Sequence, residues 1–213
     1  MLEQCSKGLI CCIITPLDKL WPMKKNSVAT DIAYVAVFTA LIIVFAFVSI
    51  PTPTVGVPIV LQNAVIILAG LVLGGRRGLF VGLLFIALGL VGLPILAGGR
   101  SALSAIAGPT VGYIVGYVVA PAIAGLIAYR APRDKGGMTA VLAIAGLVGL
   151  AVQYFCGSLG LVFRSDMSFG AAVLAQGPFI IPDLIKVAVM VVIAVGVHAA
   201  FPDLMGRRTA KAK

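Results

Sequence analysis

Of 213 residues, 61% are hydrophobic and 11% charged, and the mean hydropathy is +1.15. A soluble domain carries roughly a quarter charged residues, so the composition excludes an ordinary water-soluble globule and points to an all-α integral membrane protein. The net charge of +9 does not indicate nucleic acid, because the basic residues fall in short clusters between apolar runs, where a membrane protein keeps its cytoplasmic anchors.

Residues 1–28 differ from the rest and are set apart as an N-terminal extension. Gly8 to Thr15 is apolar but too short to span, Pro16 and Pro22 interrupt the segment after it, and no small-residue cleavage site of a secretory signal is present. Met23-Lys24-Lys25-Asn26 reads like a natural start, so residues 1–22 are either an extension or an upstream mis-assigned start. Cys5, Cys11, Cys12 and Cys156 match no zinc spacing and read as free thiols.

Six apolar spans come next, each near the roughly 20 residues that a membrane helix needs. They cover about 31–50, 58–75, 78–97, 109–129, 138–163 and 179–201. Pro51-Thr52-Pro53 closes the first, Pro58 suits the first turn of the second, and Gly74-Gly75 ends it. The bundle domain is placed at 29–203, with a basic tail at 204–213. Abundant glycine within the spans predicts close helix contacts.

Cation placement sets the orientation. Lys7, Lys19, Lys24, Lys25, Arg76, Arg77, Arg130, Arg133, Lys135, Arg207, Arg208, Lys211 and Lys213 fall on one side. Only Arg100 and Arg164 fall on the other, and Lys186 lies within the last span. This bias predicts that both termini are cytoplasmic.

An ionisable residue within a span is a functional-site candidate, because lipid makes it costly. Asp183 and Lys186 are three apart at the start of the sixth span, so they share a helix face. Two readings fit: an interfacial ion pair capping the helix start, or an outward-facing ligand clamp. A carboxylate accepts N–H bonds and an ammonium donates to a carbonyl, which together match a neutral urea or amide.

Gln62-Asn63, one turn into the second span, reads either as helix-to-helix amide bonding or, at Gln62, as a second site candidate at the depth of Asp183. Arg100 is either a solvated loop charge or the partner of an anionic ligand tail. His198 reads as a packing residue rather than a proton relay. Tyr113, Tyr117 and Tyr154 either stack on a ligand or pack within the bundle. Ala29, Ala33, Ala36 and Ala40 lie on one face of the first span, suited to tight packing inside the bundle or against a partner protein. The sequence contains no P-loop, no His/Glu metal spacing and no Gly-x-Ser-x-Gly elbow, so it gives no basis for an enzyme, a metal site or a bound cofactor.

Five segments in order resemble the BioY family, the biotin-binding S components of energy-coupling factor (ECF) vitamin transporters. They are Pro51-Thr52-Pro53 with Val57-Pro58-Ile59-Val60-Leu61-Gln62; Leu71-Val72-Leu73-Gly74 with Arg76-Arg77-Gly78; Gly92-Leu93-Pro94-Ile95-Leu96-Ala97-Gly98-Gly99; Gly108-Pro109-Thr110-Val111-Gly112-Tyr113; and Pro178-Phe179 leading to Asp183-Leu184-Ile185-Lys186. The resemblance implies a six-helix substrate-binding component of the bacterial inner membrane that captures biotin on its outer side. It implies that Asp183 and Lys186 hold the ureido ring, with Gln62, Gly98, Gly99, Arg100 and Tyr113 as further ligand-contact candidates. It also implies that the alanine face docks a membrane coupling protein carrying paired ATPases. Val111 stands where a second glycine is expected, Pro182 precedes the aspartate where glycine is commoner, and Arg100-Ser101 replaces a glycine pair. The rival expectations are an S component for another vitamin and an ion-coupled secondary carrier for a small heterocycle. The latter places its ionisable groups near the midplane, whereas this pair lies near the outer rim.

Overall fold

In a computed structural model of the chain, residues 28–50, 59–132 and 134–205 are described. Residues 1–27, with Cys5, Cys11, Cys12 and the Met23 start, lie outside the described residues. So do the prolines at 51, 53 and 58, Arg133, and 206–213 of the basic tail. The chain runs α1 (Val28–Ala46), β1 (Ser49–Ile50), β2 (Ile59–Val60), α2 (Gln62–Leu73), α3 (Gly75–Leu90), α4 (Ala102–Ala107), α5 (Val111–Ala128), α6 (Lys135–Ser165), α7 (Phe169–Leu174) and α8 (Gly177–Ala200), then a 3-10 turn at Pro202–Met205. The two short strands form one antiparallel pair, Ser49 opposite Val60 and Ile50 opposite Ile59. All else with regular structure among the described residues is helical.

Among the described residues four helices, α1, α5, α6 and α8, are long and apolar enough to cross a membrane. The expected second and third spans are shorter than their apolar runs. α2 has 12 residues and α3 has 16, or about 18 and 24 Å at helical rise. The boundary between them is one residue, Gly74, whose φ of +85° is a left-handed conformation that favours glycine. A Cβ there would meet the Tyr129 ring at 2.8 Å. α3 stops at Leu90 rather than running to Ala97, because Gly92 takes φ +101° and Pro94 cannot continue a helix. Residues 91–101 instead turn back over the end of the bundle.

α2 is the centre of the bundle: every residue but Asn63 is buried. Its neighbours approach at glycine. The α-carbon of Gly70 lies against the carbonyl of Pro121 in α5, and that of Gly112 lies against the carbonyl of Cys156 in α6, with no room for a methyl group at either. Lipid supplies no hydrophobic force between helices, so such backbone proximity, with its dispersion contacts, holds the pairs together. Cys156 is half-buried with a free thiol.

α1 is peripheral, burying only Thr39, Ile42 and Ala46. Ala29, Ala33, Ala36 and Ala40 are all exposed, so the stripe does not serve packing inside the bundle. One end of α1 is held by an ion pair. Arg77, expected as a loop anchor, lies in the first turn of α3 and is 2% exposed. Its Nε and Nη2 both donate to Asp31 Oδ1, the former at 2.9 Å, and its guanidinium stands 5.3 Å from the Tyr34 ring. Arg77→Ala would leave Asp31 without its partner. We expect a loss of about 2–3 kcal/mol, below the roughly 3–5 kcal/mol of a fully buried pair because Asp31 is partly exposed. It would be read as a lower melting temperature of the purified protein in detergent, and an unchanged value would count against the pair.

Candidate ligand-binding site

α2, α5 and α8 begin at the same end of the bundle, and the polar residues of their first turns converge there on a cavity. Gln62, Asn63, Tyr113, Asp183 and Lys186 line it, joined by Gln153 and Tyr154 of α6 and by Leu96, Ala97 and Arg100 of the returning loop. Its apolar walls include Ile114, Tyr117 and Phe179.

Asp183 and Lys186 form its charged centre. Lys186 Nζ lies 2.6 Å from Asp183 Oδ1, and the two side chains are 10% and 4% exposed, lysine first. The capping alternative does not describe them. α8 starts at Gly177, with Pro178 in its first turn, so Asp183 sits in the second turn and caps nothing. The carboxylate is fully engaged: Tyr154 Oη donates to Oδ2 at 2.7 Å, and Asn63 Nδ2 lies 3.3 Å from both oxygens. Lys186 also donates to Val60 O at 2.7 Å and Asn63 Oδ1 at 3.3 Å. Two buried opposite charges tolerate low dielectric only when paired and hydrogen-bonded in this way.

Gln62 is fully buried and ties three segments together. Its Nε2 donates to Ile95 O at 2.9 Å and approaches Ile42 O at 3.5 Å. Its Oε1, itself buried, meets no donor among the described residues. Arg100 is half-buried, with Nε reaching Ala97 O at 3.4 Å. Gly98 and Gly99 do not line the cavity. They take φ of +74° and +72° in the turn that lets Leu96 bridge Arg100, next to the lining residues Ala97 and Arg100.

Tyr113 belongs to a second polar group. Its hydroxyl donates to Gln176 Oε1, whose amide reaches Ser158 Oγ at 3.4 Å, and Thr110 Oγ1 beside it meets no partner among the described residues. Sequence reasoning misses Thr110, Gln153 and Gln176 and leaves Asn63 outside the site. The available signal is an amide or hydroxyl in an apolar run, which gives no direction around the helix. His198 lies at the opposite end of α8, buried, with Nε2 2.9 Å from Leu71 O. A carbonyl accepts only, so that nitrogen carries the proton, and the ring packs edge-on against Tyr129.

A helical bundle of membrane-spanning length, with a buried acid–base pair in a cavity at one end, defines a membrane-embedded small-molecule-binding protein. The sequence profile of the BioY family matches residues 21–203, and the chain belongs to that family. It is similar to the biotin transporter BioY of Rhodobacter capsulatus, 38% identical over 173 residues that cover 77% of this chain and 90% of the relative. It is equally similar to the probable biotin transporter BioY of Pyrococcus horikoshii, 38% identical with 78% and 94% covered. The fold matches the crystal structure of the S-component for biotin from an ECF-type ABC transporter, with a TM-score of 0.73, 30% identity, and 83% and 95% of the two chains covered. With its apolar helices and these relatives, the chain is a multi-pass protein of the cell membrane.

Proposed function

We propose that this protein takes up biotin across the cell membrane as the substrate-binding component of an ECF-type transporter. The buried Asp183–Lys186 pair at the cavity wall carries the reading. A ureido ring offers two N–H donors flanking a carbonyl acceptor. Asp183 accepts an N–H and Lys186 donates to the carbonyl, with Gln62 as a further contact. Arg100, which lines the same cavity, takes the carboxylate of the ligand's tail, with Tyr113 as a further contact. Binding involves no covalent step.

In this reading α1, α2, α3, α5, α6 and α8 form six membrane crossings with both termini in the cytoplasm. Residues 29–203 make the binding domain. Arg76, Arg77, Arg130 and Lys135 lie at the end of the bundle opposite the cavity, which supports an outward-facing site. A membrane coupling protein and its paired ATPases supply the energy, docking on the exposed alanine face of α1.

The experiment is competition binding to the purified protein, with labelled biotin against unlabelled biotin, riboflavin, thiamine and nicotinate. Only biotin should compete at equimolar ratio. Displacement by another vitamin, or no retention of biotin, would overturn the reading.

A further inference from the structure

Asn63 does to the ion pair what the edge of a urea would do. Its Nδ2 donates to the carboxylate of Asp183, and its Oδ1 accepts from Lys186 Nζ. Charge dictates this orientation, since the flipped amide would set N–H groups against the ammonium and its oxygen against the carboxylate.

The donors of Lys186 are fully committed. An ammonium has three N–H groups, and those of Lys186 go to Asp183, to the carbonyl of Val60 and to Asn63. A ligand carbonyl can therefore reach Lys186 only by displacing one of the three. Asp183 is a charged partner at 2.6 Å and the Val60 carbonyl is at 2.7 Å, whereas Asn63 is neutral and lies at 3.3 Å. Asn63 is also the partner that can swing away alone. Its backbone is fixed in α2, with its carbonyl held by Gln153 Nε2 at 3.2 Å, so only side-chain torsions need to change. It is the one residue of α2 that is not buried.

We propose that Asn63 is a built-in stand-in for the ligand, occupying the Asp183–Lys186 pair in the empty protein and displaced by the incoming urea edge. The inference rests on reading that pair as a urea clamp. It makes Asn63 a specificity-determining residue. A ligand that offers an N–H and a carbonyl side by side replaces both bonds at once. One that offers a single group leaves a buried charge short of a partner, which is costly.

The test compares biotin binding kinetics of the purified wild type with those of Asn63→Ala. Removing the competitor should tighten binding roughly fivefold, the scale of one net hydrogen bond, mostly through faster association. Unchanged or weaker binding overturns the proposal, because Asn63 would then be a bystander or a direct ligand contact. If Asn63→Ala does not fold, a structure of the wild-type biotin complex decides. Asn63 Oδ1 out of hydrogen-bond range of Lys186 Nζ supports displacement, and a retained contact refutes it. The two ideas fail separately: a wild type that binds no biotin removes the clamp itself, whereas weaker binding by Asn63→Ala alone removes only the stand-in.

Discussion

Asp183→Asn and Lys186→Ala will each abolish measurable biotin binding while the protein still inserts in the membrane. Each substitution leaves the other charge of a nearly solvent-free pair without its counter-ion. Breaking such a pair costs about 3–5 kcal/mol, and the direct bond to the ligand is lost as well, so affinity should fall by at least about a hundredfold to a thousandfold. A purely structural pair makes a different prediction. There, replacing both residues with leucine would restore stability, as well-packed apolar side chains often do, and binding would return with it. We expect the double-leucine protein to recover its melting temperature and still fail to bind. Biotin affinity in Asp183→Asn equal to wild type would remove the ion pair from the site.

The second large effect separates binding from transport. Ala33→Leu and Ala36→Leu enlarge a face that the bundle leaves open. Exposed substitutions of this kind cost the fold little, but small residues are what let helix backbones approach closely in lipid. Biotin affinity should be unchanged, while uptake energised by the coupling protein and ATPases falls about tenfold or more, each 1.4 kcal/mol of lost docking energy being worth a factor of ten. Cells expressing either variant that accumulate biotin at the wild-type rate would show that this face does not dock the energising partner.

Features of the fold and site are legible in the sequence where their signal is local. The apolar runs mark the helical bundle, and the spacing of Asp183 and Lys186 places two charges on one face of one helix, which needs no knowledge of the rest of the fold. The start of α8 reads two residues late because Gly177-Pro178 looks like a loop, although proline is favoured in a first turn. That small shift is what makes the capping alternative plausible. The boundary between α2 and α3 is legible as well, because Gly74-Gly75 marks it in the sequence and Gly74 takes a left-handed conformation there. A helix buried on nearly all sides has no polar stripe to give it a period, so its rotation in the bundle is not legible.

Contacts between distant segments are beyond reach. Arg77 and Asp31 are 46 positions apart, and in the sequence Arg77 looks like any other basic anchor. Asn63 and Tyr154 are visible as polar residues in apolar runs, but their direction toward Asp183 comes from how α2, α6 and α8 are rotated in the bundle. The glycines at 98 and 99 are ligand-contact candidates through the family resemblance alone, and in the fold they take left-handed conformations in the turn beside the cavity.

The single-residue junction at Gly74 has a mechanical meaning. Asn63 and Gln62 stand at one tip of α2, and a one-residue link joins the other tip to α3, whose first turn grips Asp31 of α1. With no spare chain to take up slack, a tilt of α2 must be absorbed by the two torsions of Gly74 or carried into α3. The two ends of the molecule are thus geared together through the most deeply enclosed helix it has.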